Sequence, residues 1–343
     1  MLSTYGTIIH TASRHNVYRC RRSLTCLPYT IAVITTSLLQ AAGLRAGNYS
    51  ADFRASIYAT LSAGTDEAEH DMAQQASQTN TSRIHFGKTL LALCSLGLPG
   101  ILSLIPVIIG QIEQLPPGLT ELPPILLVAL SLLNPLILLV IAVVVGTLLA
   151  PRIGLRSLVA EKVSHATPIW PQLRPSIPLA CGLGIFFSVV VLGLDQAINP
   201  FADTELVNET ATLSGLLSQL LLGLLYGGIV EELLLRWGIM SLLVWIGWRV
   251  LQRGSGQPHP ALIWGAITLA AVLFGLGHLP AMAGMVELTP LIILRTVLLN
   301  ALGGMLFGWL YWKHSLEAAM IAHAATHVGF FLLNAAFLML NIG

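Results

Sequence analysis

The chain has 343 residues, of which 55% are apolar and only 10% charged, with a mean hydropathy of +0.77 and a formal net charge of +1. That composition lies far from the usual soluble mix and reads as a polytopic membrane protein. A charge so close to zero excludes the basic field of a nucleic-acid binder and gives no sign of an acidic substrate.

Residues 1–87 are mostly polar. The first fifty contain no Asp or Glu and carry Arg14, Arg19, Arg21, Arg22 and Arg45, a bias closer to a targeting segment than to a domain. The stretch 27–43 is only moderately apolar and fits a signal core, an amphipathic helix or no element at all. Residues 63–82, rich in Ser, Thr, Gln, Asp and Glu, bury too little apolar area to fold alone and are expected to be disordered. Met72 opens MAQQASQTNTSRIHFGK directly ahead of a strong span, so 1–71 reads as an extension upstream of the true start, which mass spectrometry of the native protein would decide. Cys20, Cys26, Cys94 and Cys181 show no C-x-x-C spacing, and neither a disulfide nor a zinc knuckle is assigned.

From Thr89 the chain becomes apolar enough to cross ~30 Å of hydrocarbon in runs at 89–111, 125–150, 176–194, 211–230, 261–280, 288–312 and 316–341. A further run, 237–248, is short for a crossing. The expected fold class is therefore all-α, a polytopic transmembrane helix bundle of seven or eight spans, because continuous apolar runs satisfy their own backbone as helices and do not alternate as barrel strands do. Arg83 and Lys88, then Arg152, Arg156, Lys162 and Arg174, then Arg249 and Arg253, mark basic ends expected in the cytoplasm, in a multi-pass membrane protein of bacterial inner-membrane type. An extra crossing at 229–250 would flip everything downstream, so the side of the C-terminus stays open.

Within or directly beside these runs lie ionisable groups that cost roughly 3 kcal/mol or more at membrane depth and by default mark a site facing a cavity or the bundle interior. Glu231 and Glu232 stand adjacent, so on a helix they diverge by about 100°. Glu232 reaches Arg236 at i+4 as a buried ion pair, which leaves Glu231 free to face a cavity as a general base. The bland alternative for the glutamates alone is a salt bridge at a helix end. His278 shares a face with Phe274, beside Gly275 and Gly277; a lone intramembrane His is more often a packing residue. His323, His327, Phe330 and Asn334 fall at i, i+4, i+7 and i+11 and draw one polar and aromatic stripe, which faces protein or water and not lipid.

Taken together, E231-E232-x-x-x-R236, F274-x-x-x-H278 and the histidine motif at His323 resemble the CPBP (Abi-like) family of intramembrane proteases, which includes the CAAX prenyl endopeptidases. The lead-in GGMLFGWLYWKHSLEAAMIAHAATH resembles the family as well, and the likeness covers about 210–335. It divides the membrane part into N-terminal helices at 88–200 and a catalytic transmembrane domain at 201–343. The resemblance implies a conical intramembrane cavity and a glutamic endopeptidase that needs no cofactor: Glu231 and His278 activate a water, His323 and His327 stabilise the oxyanion, and Glu232, Arg236 and Phe274 support them. A peptide or membrane-protein substrate would be the partner, prenylated or not.

One departure matters. The family commonly has Asn or Asp where this chain has His327, and a neutral imidazole still offers one donor. The same substitution makes zinc the runner-up, since His323 and His327 have the i, i+4 spacing of zinc proteases, although Ala324 stands where H-E-x-x-H needs its Glu. A non-catalytic scaffold or a proton-coupled transporter is the other class, and no internal repeat supports the latter. Gly304 and Gly308 favour close helix packing, within the chain or in a homo-oligomer. Gln219 and Asn300 are expected to make interhelical hydrogen bonds, Arg295 to snorkel or to pair with Glu287, and Trp309, Tyr311 and Trp312 to form an aromatic belt. In a simple linear topology His278 and His323 sit near opposite ends of their spans, so convergence demands tilted or broken helices.

Overall fold

The computed structural model describes residues 85–115, 122–198 and 212–340. The expectations for 1–71, for 27–43, for 63–82 and for Cys20 and Cys26 fall outside these residues. Cys94 and Cys181 are free thiols within the first and third spans.

Among the described residues seven helices are long and apolar enough to cross a membrane: Phe86–Glu113, Pro124–Ile153, Ile177–Ile198, Leu213–Leu251, Pro260–Ala283, Pro290–Lys313 and Leu316–Met339. The bundle is all-α and polytopic, as the apolar runs predict. Their starts follow ordinary helix chemistry. Thr212, Thr289 and Ser315 each accept an N–H of the first turn, and proline opens the spans at Pro124, Pro260 and Pro290, where its missing N–H would have had no partner.

The run 237–248 is not an eighth crossing. It is the second half of one 39-residue helix, ~58 Å long at the α-helical rise. Between Gly223 and Glu231 and again between Leu233 and Met240 this helix is wound as a π-helix, a form that recurs at functional sites. Gly227 and Gly228 are thus passed without a break.

Several contacts show which ends of the spans meet. The His85 N–H donates to Ser164 Oγ, Leu316 N–H donates to the Arg156 carbonyl, and Gln257 lies against Gly154. Each span therefore runs opposite to the one before, and Met339 ends at the face opposite Phe86. Glu317, buried in the first turn of the seventh span, accepts Ser157 Oγ at 2.6 Å, Leu158 N at 2.9 Å and Val159 N at 3.0 Å. A carboxylate at that position satisfies the free N–H groups of the short helix Leu158–His165 and ties it to the bundle.

Large side chains such as Ile125, Leu91 and Phe186 are left exposed on the outside of the bundle, where lipid is their solvent. Between helices, small residues allow close approach. Gly184 meets Ala322 of the seventh span, Gly238 meets Ala142 of the second, and Gly304 and Gly308 meet Ala271 and Ile267 of the fifth, so the G-x-x-x-G pair packs within the chain. Tyr311 does not join the aromatic belt: it is fully buried, sharing a hydrogen bond with Ser241 at 2.9 Å. A phenol that finds an internal partner has no need of the interface. Trp312 packs edge-on against Trp264 nearby.

Candidate active site

The long fourth helix carries Glu231 and Glu232 at the junction of its two π-wound stretches. Glu232 is fully buried. Its Oε1 stands 2.8 Å from His323 Nδ1 and its Oε2 stands 3.2 Å from Arg236 Nε. The second contact is ionic without hydrogen-bond alignment. Arg236 Nη2 donates to the Gly304 carbonyl, and the guanidinium lies 5.0 Å from the Phe274 ring centre and 5.4 Å from that of Phe307. The predicted Glu232–Arg236 pair is present, with His323 as an additional partner across 91 residues of sequence.

Glu231 turns away from this pair and into a cavity of about 670 Å³. Its Oε1 lies 3.8 Å from His278 Nε2 and its Oε2 lies 3.8 Å from His323 Nε2. The expected mismatch in depth is overcome by His278 itself. It stands at the C-terminal cap of Pro260–Gly277 and folds back so that Nδ1 reaches the Phe274 carbonyl at 2.8 Å. A carbonyl only accepts, so Nδ1 carries the hydrogen, and Nε2 is the nitrogen turned toward Glu231.

His323 is held by rings on several sides. It stacks on Phe307 at 4.4 Å and on His327 at 5.2 Å, with Phe274 edge-on at 6.0 Å. His327 lines the cavity, edge-on to Phe330. Room for these imidazoles comes from glycine. A Cβ at Gly227 would lie 2.7 Å from His327 Nε2 and 3.4 Å from His323 Nε2, and one at Gly223 would collide with the His327 ring. All four predicted catalytic residues, Glu231, His278, His323 and His327, thus converge on one cavity, with Phe274 beside them on its wall and Glu232 and Arg236 behind.

The sequence reading missed Phe307, Gly223 and Gly227. The glycines had a signal, since Gly223, Gly227 and Glu231 recur every fourth residue on one face. Asn300 is not interhelical glue: its amide donates to the Thr296 carbonyl of its own helix, as the Asn334 amide does to that of Phe330, and both line the cavity, as does Gln219. Arg295 pairs with Asp195 of the third span and not with Glu287, because the carboxylate of the adjoining helix meets the guanidinium inside the bundle. Among the described residues no group of three His, Cys, Asp or Glu side chains has the arrangement of a metal site.

Residues 213–329 match the family model described as Type II CAAX prenyl endopeptidase Rce1-like. The matched segment contains every residue converging on Glu231 and agrees with the resemblance carried by the three motifs. No curated protein and no solved structure matches the chain.

Proposed function

We propose that this chain, whose residues 213–329 match the family model of Rce1-like type II CAAX prenyl endopeptidases, hydrolyses a peptide bond inside its membrane cavity with a water activated by Glu231. One observation carries the reading: the two oxygens of Glu231 face two different imidazole nitrogens at 3.8 Å. That separation is too long for a direct hydrogen bond and suits a solvent molecule shared among the three groups.

In this mechanism Glu231 takes a proton as the water attacks the scissile carbonyl and returns it to the leaving amine. His278, oriented by the Phe274 carbonyl, accepts a hydrogen bond through Nε2 from the O–H that the water keeps. His323 has two possible tautomers, and Glu232 selects between them. A proton on the Glu232 side of their 2.8 Å contact leaves a hydrogen on Nε2, which then donates to the developing oxyanion; a proton on Nδ1 leaves Nε2 an acceptor. His327, stacked on His323 and open to the cavity, supplies the second donor.

The cavity wall is largely apolar, with Leu216, Leu220, Leu299 and Phe331 among its lining. A peptide bearing a long apolar group, such as the prenylated C-terminus named by the family, fits that wall, and a bacterial inner membrane is the proposed setting. The test is direct. The purified chain in nanodiscs should convert a prenylated peptide into two fragments seen by mass spectrometry, and Glu231→Ala should melt like wild type and produce none. A scaffold or transporter would leave the peptide whole in both cases.

A further inference from the structure

A second cavity, of about 220 Å³, opens at the other side of the molecule from the exit of the seventh span and shares no lining residue with the one around Glu231. It lies where Lys313 and His314 close the sixth span and Ser315 caps the seventh, beside Arg156 and Gln172 of the connection that leads into the third. Sites for drug-sized ligands run to roughly 300–1,000 Å³, so this one suits a small polar group.

Its walls present donors and cations. Arg156 gives Nε and Nη2 to the two oxygens of Glu161 at 2.8 and 2.6 Å, and Nη2 also to Gln172, which fixes the guanidinium and leaves the two hydrogens of Nη1 unspent. Ser315 is only 3% exposed and accepts the Ala318 N–H, so its own hydrogen has no acceptor among the described residues. Lys313 rests its Nζ 3.6 Å from the centre of the Trp312 ring and has no carboxylate partner among them. The two acidic groups nearby do not compete for it: Glu161 is taken up by Arg156, and Glu317 by Ser157 and two backbone amides.

The aromatic residues fix the depth of this pocket. Trp170, on the short helix that supplies Gln172, is 64% exposed; Trp309 packs edge-on to His314, and Trp312 edge-on to Trp264. Tryptophan gathers at the level of the lipid headgroups. Arg152, Lys162 and Arg174 belong to the same connection, so the pocket also lies at a basic end of the bundle. Basic pockets between spans on such a face hold anionic headgroups.

We propose that this pocket binds the phosphate of an anionic membrane lipid, with Lys313 as counter-ion and Arg156 Nη1 and the Ser315 hydroxyl as hydrogen-bond donors. A headgroup seated there ties the end of the sixth span to the start of the seventh, which carries His323 about 12 Å further along. The proposal stands whether or not the cavity around Glu231 cleaves peptides.

The experiment offers the full chain, purified in detergent, phosphatidylglycerol, phosphatidylcholine or inorganic phosphate. Bound lipid is counted by native mass spectrometry and stability is read by thermal melting. Phosphatidylglycerol should stay bound and raise the melting temperature, and the other two should do neither. Lys313→Gln should raise the apparent Kd for phosphatidylglycerol about fivefold, the scale of one basic group at an anionic headgroup, while Lys313→Arg binds as wild type. Lys162→Gln removes the same charge from the exposed surface outside the pocket and should change nothing. Equal weakening by Lys162→Gln would show diffuse surface attraction and overturn the proposal, as would binding indifferent to Lys313. Protection by inorganic phosphate without retention of lipid would overturn it in favour of a soluble anion.

Discussion

His323 Nδ1 lies 2.8 Å from Oε1 of Glu232, and the other oxygen of that fully buried carboxylate stands 3.2 Å from Arg236 Nε. One carboxylate thereby connects the cation of its own helix to an imidazole of the last helix. Because it touches His323 on the nitrogen remote from Glu231, in the proposed mechanism it would govern which hydrogen the ring presents to the cavity.

Glu232 should therefore respond differently to two substitutions. Glu232→Gln keeps the shape and can donate to Nδ1, which fixes the hydrogen on Nε2, so cleavage should persist within about tenfold of wild type. Glu232→Ala removes the polar atoms as well as the charge, leaving Arg236 Nε and His323 Nδ1 both without their partner in the interior, at about 3–5 kcal/mol. Thermal melting in detergent beside a cleavage assay separates these outcomes; equal loss from both variants would contradict a tautomer-setting role.

Gly227→Ala should lower activity by at least about tenfold with little change in melting temperature, since its Cβ would press within 2.7 Å of His327 Nε2 and force the imidazole stack to move. A kcat loss at unchanged KM is the expected signature. Wild-type turnover in this variant would show that His327 has freedom the packing does not suggest.

For His327 the prediction concerns donors. His327→Asn restores an amide donor of the kind common in the family and should retain cleavage, whereas His327→Ala should lose roughly a hundredfold in kcat, the scale of one oxyanion donor. Steady-state kinetics on both variants decide the point, and an alanine variant as fast as the asparagine one would remove His327 from the mechanism.

A metal-free site predicts that prolonged dialysis against chelator leaves the turnover number unchanged. Loss of activity, restored by added zinc, would establish the zinc alternative that the i, i+4 histidine pair invites.

Much of this was legible from residue order. Continuous apolar runs gave seven or eight spans, of which seven are found among the described residues, because a backbone in lipid has few other ways to satisfy itself. The i+4 spacing gave the Glu232–Arg236 pair, and the separate direction of Glu231 followed from adjacency on a helix. What was not legible depends on which helices touch. Asp195 reaches Arg295 from a span a hundred residues away, and Tyr311 is drawn inside by Ser241 of another span, although its aromatic neighbours resemble an interfacial belt. Nor does hydropathy reveal that the run 237–248 continues the helix before it, since short and long helices have the same local pattern.

The most direct measurement is the single-turnover cleavage rate of Glu231→Gln, an isosteric change that preserves packing and hydrogen-bond reach while removing the base. A fall of about a thousandfold, with substrate binding and melting temperature unchanged, is the predicted result. Cleavage at a rate near that of wild type would show that Glu231 does not activate the attacking water.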